Sequence, residues 1–139
     1  MVIIIDSNVF MSALIKEGIT RKIITQCREK FIIPKYLFQE IRNYEGEIIL
    51  KSGLSKEEYN PLLKTLLKYL IIIPNELVSS YIKEAEKIVK NIDIDDALFI
   101  ATALAIENSV IWSNDKKLKN QNTVKIINTE EMIDMIFTG

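Results

Sequence analysis

The sequence predicts an α/β protein, a three-layer α/β/α sandwich with a mainly parallel central sheet. Short apolar runs without alternation recur along the chain, and such runs are typical of strands buried on both faces. Longer segments with apolar residues at helical spacing lie between these runs. The alternation of strands with helices favours a parallel sheet that is covered by helices on both faces. Because no repeat and no linker rich in Pro, Gly or Ser interrupts the chain, we expect a single domain over residues 1–139.

The individual elements follow from the same two patterns. Strands are predicted over residues 2–5, 31–33, 70–73, 110–112 and 124–127, most of them followed by turn-favouring Pro, Asn or Ser. Helices are predicted over residues 19–29, 35–50, 56–69, 76–90 and 96–107, after a first helix that begins near Val9. The segment 96–107 is apolar nearly all round, which indicates a central, buried helix. Asn128 and Glu131 resemble a capping box, so a last helix is expected to run through Phe137.

The composition excludes several kinds of catalytic site. The chain of 139 residues has no histidine, which rules out Ser-His-Asp triads, His-based acid–base catalysis and His-ligated zinc. Its one cysteine, Cys27, is expected in the core beside Ile23 and Ile24, and one thiol forms neither an internal disulfide nor a structural zinc site. Any bound metal would therefore take oxygen ligands, which favours Mg²⁺ or Mn²⁺.

Charge and hydropathy indicate where the protein acts. The net charge is −1, whereas a protein that wraps nucleic acid by charge alone is strongly basic, so we expect local, metal-assisted contact with nucleic acid. The apolar runs are far shorter than the roughly 18–20 residues that span a bilayer, so no membrane segment is expected. Met1 leads directly into a strand-like run, so we expect no signal peptide, and the single cysteine fits a reducing cytoplasm.

Acidic residues follow two of the predicted strands, and a third lies in a helix. Asp6 stands directly after the first strand, and Asp115 follows the fourth strand in the string IWSND. Each has an ordinary structural interpretation, Asp6 as a helix cap and Asp115 as a turn residue. Glu40 lies within a largely apolar stripe of a predicted helix, where a buried and unpaired carboxylate is costly. Its ordinary interpretation is a stripe edge, with the side chain in solvent or paired with a base.

Three further acids precede the buried helix 96–107. The segment NIDIDD contains Asp93, Asp95 and Asp96, and we expect Asp96 to point into a site, Asp93 to assist it and Asp95 to serve as a cap. Each carboxylate at a helix N-terminus gains about 0.3–1 kcal/mol from the helix dipole, which does not require so many of them. These acids and the strand-end acids lie on the sheet edge where α/β proteins place their sites.

This gathering of carboxylates indicates metal-dependent hydrolysis. Like charges at one edge repel one another unless they are protonated or bridged by cations. In a chain without histidine, Mg²⁺ or Mn²⁺ is the simplest neutralising group. Such a site suits phosphoryl transfer to water, because a metal lowers the pKa of bound water and stabilises the attacking and leaving oxygens. The residues therefore predict a nuclease centred on Asp6, Glu40, Asp96 and Asp115.

Four parts of the chain resemble the PIN-domain family, which includes the VapC-type ribonuclease toxins. They are IIIDSNVF at residues 3–10, the helical Glu40, DDALFIATAL at residues 95–104 and IWSNDKKL at residues 111–118. The last two resemble the family's D-A-x-x-A-x-A helix and its S/T-x-D strand end, in the same order and at suitable spacing. The resemblance covers essentially the whole chain and implies a PIN-like fold.

The resemblance also implies residue roles and partners. The acids that hold Mg²⁺ or Mn²⁺ in such nucleases are matched by Asp6, Glu40, Asp96 and Asp115. Asn8 and Ser113 match polar residues that support these carboxylates by hydrogen bonds. The implied activity is endonucleolytic cleavage of RNA, with an antitoxin partner for the toxin members and a homodimer as the usual assembly. From the residues themselves, Lys116 and Lys117 are expected either to meet the phosphate backbone or to form a solvated charged face.

The chain departs from the family pattern at a few positions, and alternatives remain open. Ser7 stands where Thr is common, and Asn114 stands where a basic residue is frequent in the toxins. Asp93, Asp95 and Trp112 resemble a prokaryotic branch of the family other than the toxins proper. One alternative is a non-catalytic PIN module that binds RNA or a partner protein. Another is a phosphoacceptor receiver domain, which requires an acidic pair after its first strand and an Asp ending a central strand, whereas this chain has DSN after its first strand.

Overall fold

A five-stranded parallel sheet forms the centre of the protein, in a computed structural model that describes residues 1–89 and 96–138. The strands are β1 (Val2–Ile5), β2 (Lys30–Pro34), β3 (Leu70–Ile73), β4 (Ser109–Trp112) and β5 (Ile126–Ile127). Their spatial order is β3-β2-β1-β4-β5, and every neighbouring pair is parallel. The predicted fold class is confirmed. Asp93 and Asp95, for which a supporting and a capping role are predicted, lie outside the described residues.

Helices cover both faces of this sheet. One layer contains α1 (Ser7–Ile15), α2 (Ile19–Gln26), α3 (Tyr36–Ser52) and α4 (Lys56–Leu67), with α1 in contact with the other three. The other contains α5 (Asn75–Ser79), α6 (Ile82–Ile88) and α7 (Ala97–Ala105), with α7 packed on α5, α6 and the sheet. A 3₁₀ helix (Lys116–Asn120) joins β4 to β5, and α8 (Thr129–Thr138) follows. Within the described residues, every helix is too short or too polar to cross a lipid bilayer.

Most predicted elements agree with the observed ones to within about two residues at each end, and three differences are described here. The helix predicted over residues 76–90 is divided into α5 and α6, because the Tyr81 N–H bonds to the Val78 carbonyl three residues earlier and tightens the turn. The strand predicted over residues 124–127 pairs with β4 only at Ile126 and Ile127. The helix predicted over residues 19–29 ends at Gln26. Cys27, expected in the core, continues in extended backbone and is half-buried where it packs against the core.

The central pair of strands determines where side chains can gather. Ile3, Ile4 and Ile5 of β1 are wholly buried, because helices pack against both faces of the strand. The Asp6 N–H extends the ladder by bonding to the Trp112 carbonyl at 3.1 Å. From β1 the chain crosses to β2 on one side, whereas β4 lies on the other side, so the strand order reverses between β1 and β4. Ligands of open α/β sheets bind at this kind of switch point, beyond the carboxyl ends of the strands.

Candidate active site

A cavity of about 470 Å³ opens at this switch point, between α1 and α3. Its lining includes the four predicted carboxylates, Asp6, Glu40, Asp96 and Asp115. Asp6 follows β1, Glu40 lies in α3, Asp96 precedes α7 and Asp115 follows β4, so four separate elements supply them. Residues distant in the sequence therefore converge because the topology brings these element ends to one edge.

Asp6 is the most buried of the four acids, with 5 % of its surface exposed. It occupies the N-cap position of α1, but its side chain makes no capping hydrogen bond to the helix. Instead, Ser113 Oγ donates a hydrogen bond of 2.6 Å to Asp6 Oδ2. The capping interpretation therefore does not account for this carboxylate, which is held across the sheet edge by a residue that follows β4.

Burial raises the pKa of Asp6 above its ordinary value, and the negative charge of Asp115 acts in the same direction. The Ser113 hydroxyl and the backbone N–H groups of Ser7 and Asn8 act in the opposite direction without cancelling the effect of burial. The ionised form of Asp6 is thus disfavoured in the folded protein. A nearby cation would favour that ionised form, because opposite charge stabilises a carboxylate.

Ser113 connects Asp6 to Asp115. Its Oγ accepts a hydrogen bond of 3.1 Å from the Asp115 N–H while it donates to Asp6. The Asp115 side chain also accepts a hydrogen bond of 3.0 Å from the Lys117 N–H and so caps the 3₁₀ helix. Asp115 therefore has the structural role that its turn interpretation predicted, and it lines the cavity as well. One serine fixes the relative position of two carboxylates.

Ser7 holds Glu40 in a similar way, although no site role was predicted for it from the sequence. Ser7 is buried at the start of α1, and its Oγ donates a hydrogen bond of 2.6 Å to Glu40 Oε1. Its position between Asp6 and Asn8 in the DSN string was the available signal. Asn8, for which a supporting role was predicted, lines the cavity with an exposed side chain, and its backbone N–H acts on the Asp6 pKa.

The remaining predicted residues lie at the borders of the cavity. Asp96 is half-buried at the N-cap position of α7 and makes no side-chain capping hydrogen bond. Lys116 lines a smaller adjoining cavity of about 210 Å³ that shares Asp115 with the first. The Lys117 side chain is exposed and lines neither of these two cavities.

The chemistry of this donor set fits a hard divalent cation. The cavity presents carboxylate oxygens, and the whole chain contains no histidine and one distant cysteine, so Mg²⁺ or Mn²⁺ matches the donors better than zinc or copper. Within residues 1–89 and 96–138, no three acidic side chains lie close enough together to hold one ion in the observed conformation. Mutual repulsion of the four carboxylates opposes their closer approach.

Known proteins share this fold and sequence pattern. A family model described as PIN domain matches residues 4–134. A chain of VapBC2 from Rickettsia felis, crystallised with a DNA fragment from their promoter, is similar in structure with a TM-score of 0.71 and 19% sequence identity. The similarity covers 92% of this chain and 98% of that chain, and at this identity it shows the fold alone. No curated protein matches the sequence. The family match spans nearly the whole chain, and the protein belongs to the PIN-domain family.

Proposed function

We propose that this protein is a metal-dependent endoribonuclease, formed by one domain over residues 1–139, that hydrolyses RNA phosphodiester bonds in the 470 Å³ cavity. One observation carries the proposal: four carboxylates from four separate elements line one cavity of a PIN-domain protein. A gathering of like charges lowers stability, so a structural role alone does not explain it. Binding of a divalent cation together with a substrate phosphate would explain why these carboxylates lie together.

The roles of the residues follow from their positions. Asp6, Asp96 and Asp115 would hold Mg²⁺ or Mn²⁺, and Glu40 would hold the metal or orient the attacking water. When bound, such an ion lowers the pKa of water and stabilises the charge that develops on the phosphodiester oxygens.

Two serines position these acids. Ser113 fixes the Asp6 carboxylate and Ser7 fixes the Glu40 carboxylate, each through a hydrogen bond of 2.6 Å. These bonds orient the two carboxylates in the cavity. Asn8 and Asp93 retain their proposed supporting roles.

Basic residues beside the cavity would meet the substrate backbone. Lys116 lines the smaller cavity that shares Asp115. Lys119 lines it as well, and its ammonium pairs with Glu131, so Lys116 is the better candidate for this contact. Because the protein carries a net charge of −1, RNA contact would be concentrated at such local positive groups. Lys117 is exposed one residue further along the 3₁₀ helix and would add to the same local charge.

The test is cleavage of a labelled pool of single-stranded RNA with Mn²⁺, with Mg²⁺ and with EDTA. We expect cutting that requires metal and is lost in the Asp6→Asn/Asp96→Asn variant, with circular dichroism to confirm that the variant is folded. Ser79→Ala is a matched control, because Ser79 is exposed and bonds only to a carbonyl within its own helix, at 3.2 Å. Cutting in EDTA, or cutting retained by the double variant, would refute the proposal.

A second candidate is a PIN module that binds RNA or a partner protein without cutting. The observation that favours it is the separation of the carboxylates, since no three of those in the described residues approach closely enough to hold one ion. This candidate predicts RNA binding that Mg²⁺ and Mn²⁺ leave unchanged and RNA that stays intact after long incubation. Isothermal titration with Mn²⁺ separates the two, because a working metal site gives saturable binding that Asp6→Asn abolishes.

Two protein partners complete the proposal. The similar chain from Rickettsia felis comes from a VapBC2 assembly, which supports an antitoxin as partner of the present protein. The resemblance to the family supports a homodimer. Co-expression with the product of a neighbouring gene tests the first, since an antitoxin would co-purify and suppress cleavage. Light scattering during size-exclusion chromatography tests the second, since a monomer has a mass of 16.0 kDa.

A further inference from the structure

The cavity continues from the acidic residues into a groove between α1 and α3. One wall is a stripe of α3 at helical spacing, formed by Glu40, Tyr44, Glu47 and Lys51. These positions lie on one face of the helix because successive turns bring residues three or four apart into line. From Glu40 to Lys51 the stripe extends about 16 Å along the helix axis, at 1.5 Å per residue.

The middle of this groove is apolar and aromatic. Met11 and Ile15 of α1 and Ile48 of α3 line it together with Tyr44. Tyr44 is 50 % exposed although its ring lies at a concave surface, and no described residue forms a hydrogen bond with its hydroxyl. The packing of the core therefore does not require this ring, which is available to a ligand in the groove.

The distance of Tyr44 from the acidic residues follows from the geometry of α3. Tyr44 follows Glu40 by four residues, so its Cα lies about 6 Å, or about one turn, further along the axis of α3. A flat aromatic ring that is accessible at this distance from a phosphate-cutting centre suits the base of an adjacent nucleotide, because every base has a π-face that stacks on aromatic side chains. Lys51, at the far end, forms a salt bridge of 2.9 Å with Glu47 of the same stripe, so its charge is already partnered and the inference does not depend on it.

We infer that Tyr44 is the base-stacking residue of this groove and receives an unpaired base of the bound RNA. This rests on the proposed ribonuclease function and deepens it by naming a residue that positions the substrate. A base in a duplex is stacked on its neighbours and would have to leave the helix to reach the ring. Tyr44 acts by positioning the nucleotide and takes no part in bond cleavage.

The experiment measures binding separately from cleavage. In an Asp6→Asn background with Mg²⁺, a set of single-stranded RNA octamers carries 2-aminopurine at a different position in each member. The fluorescence of 2-aminopurine is quenched when the base stacks, and anisotropy of an end label gives the affinity. The variants are Tyr44→Ala, Tyr44→Phe and a matched control, Tyr69→Ala, because Tyr69 is also exposed, at 46 %, and lies outside the groove.

We expect Tyr44→Ala to bind about 5- to 150-fold more weakly and to lose a position-dependent quenching, as the loss of one base–aromatic stack implies. Tyr44→Phe and Tyr69→Ala should keep both signals. In duplex RNA the 2-aminopurine is already quenched by its stacked neighbours, and addition of the protein should cause no further quenching. If Tyr44→Ala does not fold, Tyr44→Leu makes the same test, since it keeps apolar bulk without a ring.

Failure of this inference is distinguishable from failure of the nuclease proposal. Tyr44→Ala that binds and quenches like the Asp6→Asn parent overturns the inference, and so does equal loss in Tyr69→Ala or absence of RNA binding by the parent. Cleavage by the wild-type protein, measured in parallel, decides the nuclease proposal alone. Quenching that depends on Tyr44 in a protein that never cuts would support the inference for a binding module.

Discussion

Replacement of Ser113 by alanine tests whether the site is held together as the structure indicates. Ser113 is 1 % exposed and lies between two carboxylates. Its Oγ donates to Asp6 Oδ2 at 2.6 Å and accepts the Asp115 N–H at 3.1 Å. Alanine removes both hydrogen bonds, and the buried Asp6 carboxylate then lacks the donor that Ser113 provides. The variant should therefore fold less stably, although no core side chain is lost.

The expected cost follows from the two bonds. A hydrogen bond to a charged group contributes about 1.5–3 kcal/mol, and one between neutral groups about 0.5–1.5 kcal/mol. Their loss should lower the free energy of unfolding by about 2–4 kcal/mol when the Asp6 carboxylate is ionised. Below the raised pKa of Asp6 its carboxyl group is protonated, and both bonds are neutral. The cost should then fall by about 1 kcal/mol.

The sign of the pH dependence is fixed by linkage. Burial already raises the folded-state pKa of Asp6 above its ordinary 3.8, so rising pH through that window removes stability. Loss of the Ser113 hydrogen bond, which lowers this pKa, raises it further and widens the window. Ser113→Ala should therefore lose more stability between pH 4 and pH 7 than the wild-type protein does.

Urea denaturation in EDTA at pH 4 and pH 7 measures this difference. The single tryptophan, Trp112, is wholly buried and reports unfolding by its emission, and circular dichroism provides the second probe that a two-state analysis needs. The control is Ser79→Ala, an exposed serine that should cost less than about 0.5 kcal/mol. A Ser113→Ala cost as small as that of the control, or one that does not change with pH, would refute this account of the site.

Three further predictions concern single groups. Asp6→Asn should abolish cleavage yet raise the free energy of unfolding in EDTA at pH 7. The gain should vanish by about pH 3.8, because the disfavoured charge is then absent from both the variant and the wild-type protein. Equal stability of the two proteins at pH 7 would contradict this. Tyr59→Phe should raise the free energy of unfolding, measured in urea, by about 1 kcal/mol, because the Tyr59 hydroxyl is buried without a hydrogen-bond partner among the described residues. Burial, together with the Glu45 charge, also raises the pKa of Tyr59 to about 12. A lower free energy of unfolding would show that the hydroxyl has a partner. Asn128→Ala should lower Tm by about 3–5 °C by calorimetry, since the N-cap of α8 is worth about 1 kcal/mol, and an unchanged Tm would exclude that role.

The fold was predictable because its signals are local. The wholly apolar β1 can only be a strand with both faces covered, and the alternation of strands and helices then requires a parallel sheet. The capping box of Asn128 and Glu131 forms with bonds of 2.8 and 3.2 Å, as the sequence pattern indicated. The predictions of one continuous helix over residues 76–90 and of a strand over residues 124–127 were wrong. The division of that helix and the length of β5 depend on packing partners, about which sequence periodicity carries no information.

The candidate site was predictable only in part, for a geometric reason. The switch-point rule brings Asp6 and Asp115 to one edge without any knowledge of side-chain direction. The hydrogen-bond partners require that direction. Ser7 and Asn8 are neighbours at the start of α1, and successive residues of a helix point about 100° apart, so one turns to Glu40 while the other faces outward. Sequence spacing alone does not say which of them does so.

Carboxylates that only stabilise the fold differ from Asp6 in hydrogen bonding and in pKa. Glu58 and Glu131 each belong to a capping box, and each has a pKa below its ordinary value. Hydrogen bonds with Ser55 lower the pKa of Glu58, and a hydrogen bond with the Lys119 side chain, followed by one with the Asn128 backbone, lowers that of Glu131. Their charges therefore stabilise the fold. Asp6 also stands at a helix start but makes no capping bond, is buried and has a raised pKa. A carboxylate that merely supported the fold would resemble the first two. Asp6 instead opposes folding in its charged form, and a group that binds there and favours the charge is the simplest physical reason for its position.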